Sequence, residues 1–370
     1  IALLYGLVEI YSPSHQERRA SEYLAAQMQA AGFDNAFVDA ADNAVGVLGE
    51  GARECILLGH IDTVAGYIPP RLEAGKLYGR GSCDMKGSLA ASLAALAYAK
   101  QDGVLRGTAL VSASVGEEVI EGLAFSRVLD RYAPDLVVIC ESTELRLVTA
   151  GRGRAEIALT TYGKSAHAST PHLGVNALKH MAKLISALDQ LPPPEHERLG
   201  KGILEPTEIV SAPFPSISVL PYQCRARYDR RVLLGETAES VLEPIQAVIA
   251  ALAAADPTFR AEASVDVGSF TCYTGVTLSG KKFQAAWQTE SESPFVRAAQ
   301  AALQRAGQAA QIGHYNFCTN GSYAASIGLP VIGYGAGLET TAHITDEYVT
   351  LDQLFGAAEG YYALGAAFGA

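Results

Sequence analysis

Two glutamates stand side by side in the stretch TALVSASVGEEVIEG (108–122), just past an apolar run that ends at a glycine. Adjacent carboxylates at the mouth of a buried strand repel each other and lose hydration, so a fold needs a reason to keep Glu117 and Glu118 together. A bound cation would offset both costs. The pair therefore points to metal chemistry, and with it acid–base chemistry, at the end of this strand.

A histidine and two aspartates lie in two motifs upstream of that pair. In GHIDTV (59–64), His60 and Asp62 are two residues apart on a predicted strand, so both point the same way and the carboxylate can orient the imidazole. In GRGSCDMKGS (79–88), Asp84 lies in a glycine-rich turn before a helix. Taken singly, the first motif also fits a capped strand-end histidine, and the second a helix-capping aspartate.

Two more candidates follow apolar strands later in the chain. VICESTE (138–144) ends a strand on Glu141, and GLETTAHITDEY (337–348) carries His343 in a loop after VIGYG. An exposed strand end and a solvated loop histidine are the ordinary explanations of each motif in isolation.

The combination of these motifs favours a metal site. Four strands of one predicted sheet end in histidine or carboxylate residues, and doubly wound folds bind ligands outside the carboxyl ends of their strands. Two histidines with several carboxylates and no sulfur fit two divalent ions, either Zn²⁺ or its alternatives Mn²⁺ and Co²⁺. Two cations about 3.5–4 Å apart repel each other, so one carboxylate must lie between them.

The composition argues against several classes of protein. The chain has 370 residues, 49% of them hydrophobic and 18% charged, which predicts a globular protein of about two domains. A net charge of −11 argues against nucleic acid or an anionic membrane as the main partner. No uncharged apolar run reaches the length of a membrane span, and the best one, residues 87–99, predicts a packed helix.

The cysteines and the first residue bear on the cellular compartment. Six cysteines lie far apart without a CxxC pair, which predicts free thiols in a reducing cytoplasm rather than a disulfide scaffold. The sequence starts at Ile1 rather than Met, so an upstream signal peptide stays an open question.

Apolar strands alternate with helices at both ends of the chain, which predicts an α/β fold with a mostly parallel sheet covered by helices on both faces. In the first 35 residues, Ser14 and Glu17 match the capping box of an amphipathic helix that ends at Gly32. The other elements are strands at 43–49, 54–62, 108–115, 135–141 and 329–337, and helices at 88–100, near 121–132, at 294–312 and at 351–368.

The middle of the chain has a different pattern. EIALTTYG and SISVLPYQCRARYDRRVL alternate as half-exposed antiparallel strands do, and helices are predicted near 174–190 and 236–254. This predicts an α+β domain at 153–267, inserted into a catalytic domain formed by 1–152 and 268–370.

The order GHIDTV, GRGxxDMKG, GEE, CE and AHxxDE resembles the co-catalytic zinc hydrolases of the ArgE/DapE/carboxypeptidase G family over nearly the whole chain. The resemblance implies that His60 and Glu141 bind one metal, that Glu118 and His343 bind the other, and that Asp84 bridges them. It also implies that Asp62 orients His60 and that Glu117 is the general base. The expected reaction is hydrolysis of an amide bond by a water molecule held between the metals, which polarise the amide carbonyl.

The inserted domain adds expectations for partner and substrate. YGKSAHASTPHLGVNAL (162–178) resembles the family's dimerisation motif, which implies a homodimer. It also implies that His167 reaches an active site, often the partner's, and stabilises the tetrahedral oxyanion there. ARYDRRV resembles the strand whose arginine pairs a substrate carboxylate, so Arg231 is the candidate and Arg230 its alternative. In FCTNGSY, Asn320 stands where the family usually has an aspartate. This weakens any role based on charge, so the expected role of Asn320 is a hydrogen bond to the substrate.

The sequence resembles two branches of the family. GYIPPRLEAGKLYGRG is similar to the acetyl-lysine deacetylases, whereas LGKGILEPTEI and DRRVLLGETAE are similar to the YgeY-type hydrolases. The leading expectation is hydrolysis of an N-acyl amino acid or a small peptide. A di- or aminopeptidase with the same two-metal site and a catalytically silent ligand-binding relative are the alternatives, and the intact base and ligands argue against the silent one.

Overall fold

A computed structural model describes residues 1–368 of the chain. Its helices are α1 (Ala2–Glu9), α2 (Arg18–Ala30), α3 (Lys86–Gln101), α4 (Phe125–Leu129), α5 (Ala177–Leu188), α6 (Ala238–Ala255), α7 (Pro294–Arg305), α8 (Asn320–Ser326) and α9 (Leu351–Phe368). Short 3₁₀ turns lie at Pro171–Leu173 and Glu339–Thr341.

The strands alternate with these helices along the chain. They are β1 (Asn35–Val38), β2 (Ala44–Leu48), β3 (Glu54–His60), β4 (Arg71–Glu73), β5 (Lys76–Tyr78), β6 (Thr108–Ser114), β7 (Leu136–Ile139), β8 (Leu147–Gly151), β9 (Gly153–Tyr162), β10 (Glu195–His196), β11 (Gly200–Lys201), β12 (Ile203–Ala212), β13 (Gln223–Val232), β14 (Arg260–Val265), β15 (Val267–Thr271), β16 (Thr277–Lys281), β17 (Phe283–Gln284), β18 (Trp287–Gln288), β19 (Ile312–Tyr315), β20 (Val331–Gly333) and β21 (Tyr348–Thr350).

The chain divides into two compact units. The first contains Ile1–Gly151, Ser269–Gly280 and the described chain from Trp287 onward, and the second contains Arg152–Gly268 and Lys281–Ala286. The segment Lys281–Ala286 was expected in the catalytic domain. It belongs to the second unit because its strand β17 pairs with β9, a contact between distant segments that no local pattern reveals.

The first unit is built on a nine-stranded sheet of order β1-β2-β6-β3-β7-β20-β8-β18, with β19 paired to β8. The central strands β6, β3, β7 and β20 run parallel, whereas the pairs β1–β2, β2–β6, β20–β8 and β18–β8 are antiparallel. The sheet is therefore mixed rather than mostly parallel, and its parallel centre carries the predicted strand ends. The expected α/β class is confirmed.

Alternation along β3 shows why this strand is apolar on both faces. Cys55 and Leu57 belong to the core cluster that also includes residues of α1, α2, α3 and α9, whereas Ile56 and Leu58 belong to the other core cluster, with residues of α4 and α8. A strand buried on both sides has no polar face, so it forms a continuous apolar run. The run ends at the buried His60.

Two predicted helices are shorter in the structure. The helix expected near 121–132 is reduced to the five residues of α4, because the chain from Gly116 to Ala124 forms turns. The helix expected at 294–312 ends with α7 at Arg305, and the following segment forms β19 instead.

The second unit is an antiparallel sheet of order β12-β13-β9-β14, with α5 and α6 as its long helices. Burial alternates along β13, where Cys224, Ala226 and Tyr228 point into a core shared with both helices. Each helix has a side-chain cap, Asn176 for α5 and the capping box of Thr237 and Ser240 for α6.

One helix of the described chain, α6, is long and apolar enough to cross a membrane by length and composition alone, with a mean hydropathy of 1.4. Glu239 and Glu243 lie within it, which is why a search for uncharged runs does not find it. All six cysteines are free, as the sequence predicts, and all six are buried.

Candidate metal centre

The predicted ligands meet at one edge of the central sheet. His60 is the last residue of β3, and it lies in parallel register with Ser114, the last residue of β6. Glu141 follows β7, the other neighbour of β3. Because parallel strands end at the same edge, residues that directly follow these strands lie close together.

Asp84 lies between the two histidines. Its Oδ1 is 2.9 Å from His60 Nε2, and its Oδ2 is 2.9 Å from His343 Nε2. His60 Nε2 is also 3.4 Å from Glu141 Oε1, and His343 Nε2 is 3.2 Å from Glu118 Oε1. The five side chains predicted to bind metal therefore form one cluster in which a single carboxylate faces both imidazoles.

The donor set of this cluster fits divalent metal ions. Ligand-type atoms of His60, Asp84 and Glu118 lie within 4.8 Å of one another, as do those of His60, Glu117 and Glu141. With Asp62, five carboxyl groups crowd around two imidazoles, so negative charge is in excess even if both imidazoles are protonated. Oxygen and imidazole donors suit Zn²⁺, Mn²⁺ and Co²⁺.

Burial dominates the electrostatics of the Glu117 and Glu141 carboxyl groups, whereas the two histidines hold the pKa of Asp84 well below its usual value. Burial raises the pKa of Glu117 well above the usual range, with nearby Glu141 and Glu121 adding to the effect, and it raises the pKa of Glu141 to about 6. The Oε1 atom of Glu117 is buried and has no hydrogen-bond partner in the described chain. A buried carboxylate oxygen without a partner is costly, and a bound cation, a water molecule or a proton would offset that cost.

The pKa values of both histidines are raised as well, but here the cause is the neighbouring carboxylates and not burial. Burial disfavours the charged form of His60, but Glu141, Asp62 and Asp84 together raise the pKa of this imidazole well above its usual value. Hydrogen bonds to Asp84 and Glu118 raise the pKa of His343 to about 10. Negative charge is thus concentrated around both imidazoles, and divalent ions bound there would compensate it in place of the imidazole protons.

Asp62 contacts two parts of the centre. Its backbone oxygen lies 2.9 Å from His60 Nδ1, closer than its side-chain Oδ1 at 3.5 Å, so the carbonyl rather than the carboxylate is the main partner of that nitrogen. The carboxylate accepts hydrogen bonds from the backbone N–H groups of Glu117 and Glu118, each at 3.1 Å. Asp62 therefore fixes both the imidazole and the turn with the two glutamates.

Glu347 is a functional candidate that the sequence did not distinguish from its neighbour Asp346. The Glu347 side chain is fully buried, and its Oε1 accepts hydrogen bonds from the backbone N–H groups of Cys83 and Asp84. Its Oε2 lies 2.7 Å from Arg80 Nη1. Asp346 is exposed instead. The acidic pair after His343 was visible in the sequence, but only the tertiary contact shows which acid supports Asp84.

The remaining predicted site residues have contacts of their own within each unit. In the first unit, the buried Asn320 begins α8, and its Oδ1 accepts a hydrogen bond from Gly122 N at 2.7 Å. In the second unit, His167 is exposed on a loop, where its Nδ1 lies 2.8 Å from Ser169 Oγ.

Both candidate arginines of β13 already have carboxylate partners within the second unit. Arg231 Nε lies 2.7 Å from Asp229 Oδ1. Arg230 is buried and pairs with Glu236. Asp229 contacts the Nε and Nη2 side of the Arg231 guanidinium.

An α/β unit with a cluster of two histidines and several carboxylates at the carboxyl edge of its sheet defines a candidate dinuclear metallohydrolase. The chain belongs to the peptidase family M20/M25/M40, whose model matches residues 56–366. The resemblance found in the sequence motifs, and with it the hydrolase class, is confirmed.

Similar proteins match different fractions of this chain. The uncharacterized protein YgeY of Escherichia coli K12 is 31% identical over 379 residues, covering 98% of this chain and 92% of that protein. A probable succinyl-diaminopimelate desuccinylase of Staphylococcus epidermidis is 33% identical over 205 residues, covering 51% of each. A tripeptidase structure from Staphylococcus aureus superposes with a TM-score of 0.79 at 20% identity, covering 100% of this chain and 97% of that one, and supports the fold.

Proposed function

We propose that this protein hydrolyses the amide bond of an N-acyl amino acid or a small peptide with the help of two divalent metal ions, Zn²⁺ in the first place. One observation carries the proposal. The two oxygens of Asp84 face the Nε2 atoms of His60 and His343, each at 2.9 Å, beside a buried Glu117 whose Oε1 has no partner in the described chain.

The chain offers one ligand set for each ion. His60 and Glu141 would hold the first ion, Glu118 and His343 the second, and Asp84 would serve both. Bound there, the ions would polarise the scissile carbonyl and make a water molecule acidic enough to attack it at neutral pH. The residues supply the rest of the chemistry.

Glu117 is proposed as the general base. Burial raises the pKa of its carboxyl group, so it can accept a proton from the attacking water and later donate that proton to the leaving nitrogen. Asp62 holds the Glu117 backbone N–H, which keeps the carboxylate at a fixed position relative to the ligands. Proton transfer of this kind typically contributes about 10²–10⁴ in rate.

Three further residues are proposed to contact the substrate. His167 would donate a hydrogen bond to the oxyanion. Arg231 would bind a substrate carboxylate through the N–H groups that Asp229 does not contact, which makes the arginine a candidate for selectivity toward acidic termini. Asn320 uses its oxygen on Gly122, so its amide N–H groups are the donors left for substrate.

We also propose a homodimer formed through the second unit. Strand β12 is an edge strand of that sheet, with exposed apolar side chains that include Ile209 and Val210. Such an edge presents unpaired backbone groups to another chain. A cytoplasmic location is proposed because the six buried cysteines are all unpaired, which suits a reducing compartment.

A substrate panel tests this function. N-acetyl and N-succinyl amino acids and free dipeptides should be assayed on protein treated with chelator and then reloaded with Zn²⁺, Co²⁺ or Mn²⁺. A deacylase cleaves substrates with a blocked amine, whereas a di- or aminopeptidase, the second candidate, requires the free amine. The non-catalytic alternative would be supported if the metal-loaded wild type hydrolyses none of these substrates and the Glu117→Gln variant hydrolyses none either.

A further inference from the structure

The N-terminal segment 12–17, SPSHQE, runs along the strand end that contains Asp62. Thr63 N donates to Ser12 O at 3.0 Å, and Ser14 N donates to Thr63 O at 3.3 Å. The capping box predicted for Ser14 and Glu17 is wrong, because the N-cap of α2 makes no side-chain capping bond. Both side chains point to the metal centre instead.

Ser14 and Glu17 each bond a different part of this centre. Ser14 Oγ donates to Asp62 Oδ2 at 2.8 Å. Glu17 is buried, with 4% of its surface exposed, and its Oε1 accepts from Gly116 N at 3.2 Å. Because Asp62 accepts from the next two N–H groups, three consecutive amides of the turn are bonded to two buried carboxylates.

The first residue of this turn has no room for a side chain. Gly116 has φ +63°, and a Cβ at this position would lie 2.7 Å from the Phe270 ring. His15 stacks on the same ring at a centroid distance of 4.4 Å and an interplanar angle of 17°. Segment 12–17 therefore contacts the turn through Glu17 and supports it through His15.

A buried carboxylate next to Asp62 is unfavourable unless it has a specific task. Glu17 has no capping bond within α2, and the strongest neighbouring charge acting on it is the negative charge of Asp62. The carboxylate interacts with the backbone N–H groups of His15 and of Glu17 itself, and outside its own segment it accepts the hydrogen bond from Gly116, the residue immediately before the glutamate pair.

We propose that Glu17 is a positioning residue for the metal centre. By accepting the Gly116 N–H, it fixes the turn that points Glu118 toward the second ion and keeps the Glu117 carboxylate free. Ser14 supports the same turn through Asp62. This inference rests on the proposed metal-dependent function, and it assigns to the N-terminal segment a role that is independent of substrate identity.

Titration of the apoprotein with Zn²⁺ alone tests the proposal without any substrate. Glu17→Met keeps the size of the side chain but removes the acceptor, and we expect the affinity for the weaker-bound ion to fall about 10–100-fold. Glu17→Gln keeps an acceptor oxygen and should recover most of the loss. Glu22→Gln, on an exposed residue of the same helix, is the matched control for the lost charge.

Kinetics on the same variants separate positioning from general destabilisation. With saturating metal, Glu17→Met should lower kcat with little change in KM, because the turn holds the base rather than the substrate. Glu17→Met that binds Zn²⁺ and turns over like wild type contradicts the proposal, and so does Glu17→Gln that is as defective as Glu17→Met. If Glu17→Met does not fold, Glu17→Asp replaces it, since its shortened side chain withdraws the oxygen but keeps the charge.

The failure of the proposed function would look different. Wild-type apoprotein that binds no Zn²⁺ refutes the metal centre itself and this inference with it. Wild type that binds two ions while all variants at position 17 match it refutes only the role of Glu17. In a Glu118→Ala background, Glu17→Met should weaken Zn²⁺ binding by less than it does alone, because the ligand that it positions is already missing.

Discussion

Asp84 faces both histidines through its two oxygens. Glu117 and Glu118 are adjacent in the sequence, but their surroundings differ. Glu118 Oε1 lies 3.2 Å from His343, a partner on the metal-binding side. Glu117 has a buried oxygen without a partner in the described chain. Neighbouring residues of the same type therefore have separable roles.

Substitution of the two glutamates should give two different defects. Glu118→Ala removes one of the anions facing the second ion, so metal occupancy should drop and activity should return in part at high metal concentration. Glu117→Gln keeps the shape of the side chain and should retain both ions and KM while kcat falls about 10²–10⁴-fold. Metal analysis with steady-state kinetics on both variants checks this. The roles are reversed if Glu117→Gln is the variant that loses metal.

Glu17 also predicts a pH dependence of stability. Burial, with Asp62 as the next cause, raises the pKa of Glu17 from 4.5 to about 7. The folded state therefore binds this proton more tightly than the unfolded state, so the stabilisation is complete below about pH 4.5 and is lost as pH rises through about 7.

The Gln side chain in Glu17→Gln is uncharged at every pH, so this variant does not lose stability through this position as pH rises. In chelator, its free energy of unfolding relative to wild type should increase between pH 4.5 and 8 by on the order of 2–3 kcal/mol. Denaturant unfolding of both proteins across that range measures the difference. A difference that does not change with pH would show that Glu17 titrates normally.

At the scale of elements, the turn before α3 depends on a buried ion pair. Glu347 accepts two backbone N–H groups of the Asp84 turn, and Arg80 neutralises it at 2.7 Å with 8% of the Arg80 side chain exposed. Removing one partner of a buried pair leaves the other charge uncompensated in the interior.

Arg80→Met should therefore lower the free energy of unfolding by about 3–5 kcal/mol. Arg71→Met is the matched control. Arg71 pairs with Asp346, the residue before Glu347, at the surface, where an ion pair contributes about 0–1 kcal/mol. Chemical denaturation in chelator compares the two variants. Equal losses would mean that the buried pair gives no special support to this turn.

The sequence indicated the ligands more completely than their supports. His60 and Glu141 were recognisable because a polar residue directly follows an apolar strand, and Asp84 because it follows glycines before a helix. Glu17 was misassigned because S-x-x-E is also the local pattern of a capping box, whereas its real partner, Gly116, lies 99 residues away. Only the folded chain brings such residues together, so no spacing rule reports them.

Element boundaries failed where tertiary contacts replaced local preference. The predicted helix near 121–132 begins late because Gly122 bonds to the Asn320 side chain, which belongs to a segment 198 residues away. The short strand β17 joined the second unit by pairing with β9 rather than by any pattern of its own. Apolar periodicity predicted the central strands well because burial on both faces dictates their composition.

At the scale of the whole molecule, the second unit is predicted to form the dimer. Replacing Ile209 and Val210 on the β12 edge by lysine should produce a monomer, because charged edge strands resist pairing with another chain. Val267→Lys, at an exposed position of the same unit, is the matched control. Sedimentation velocity distinguishes the outcomes. Wild type that sediments as a monomer while fully active would refute the dimer and any role of His167 in a partner's site.

Metal stoichiometry tests the central claim most directly. Apoprotein prepared with chelator should be inactive, and titration with Zn²⁺ should show about two equivalents bound per chain as amide hydrolysis returns. Asp84→Ala should bind less than wild type at the same Zn²⁺ concentration, because Asp84 faces both histidines. Full activity in excess chelator, by protein that retains no metal, would contradict the account.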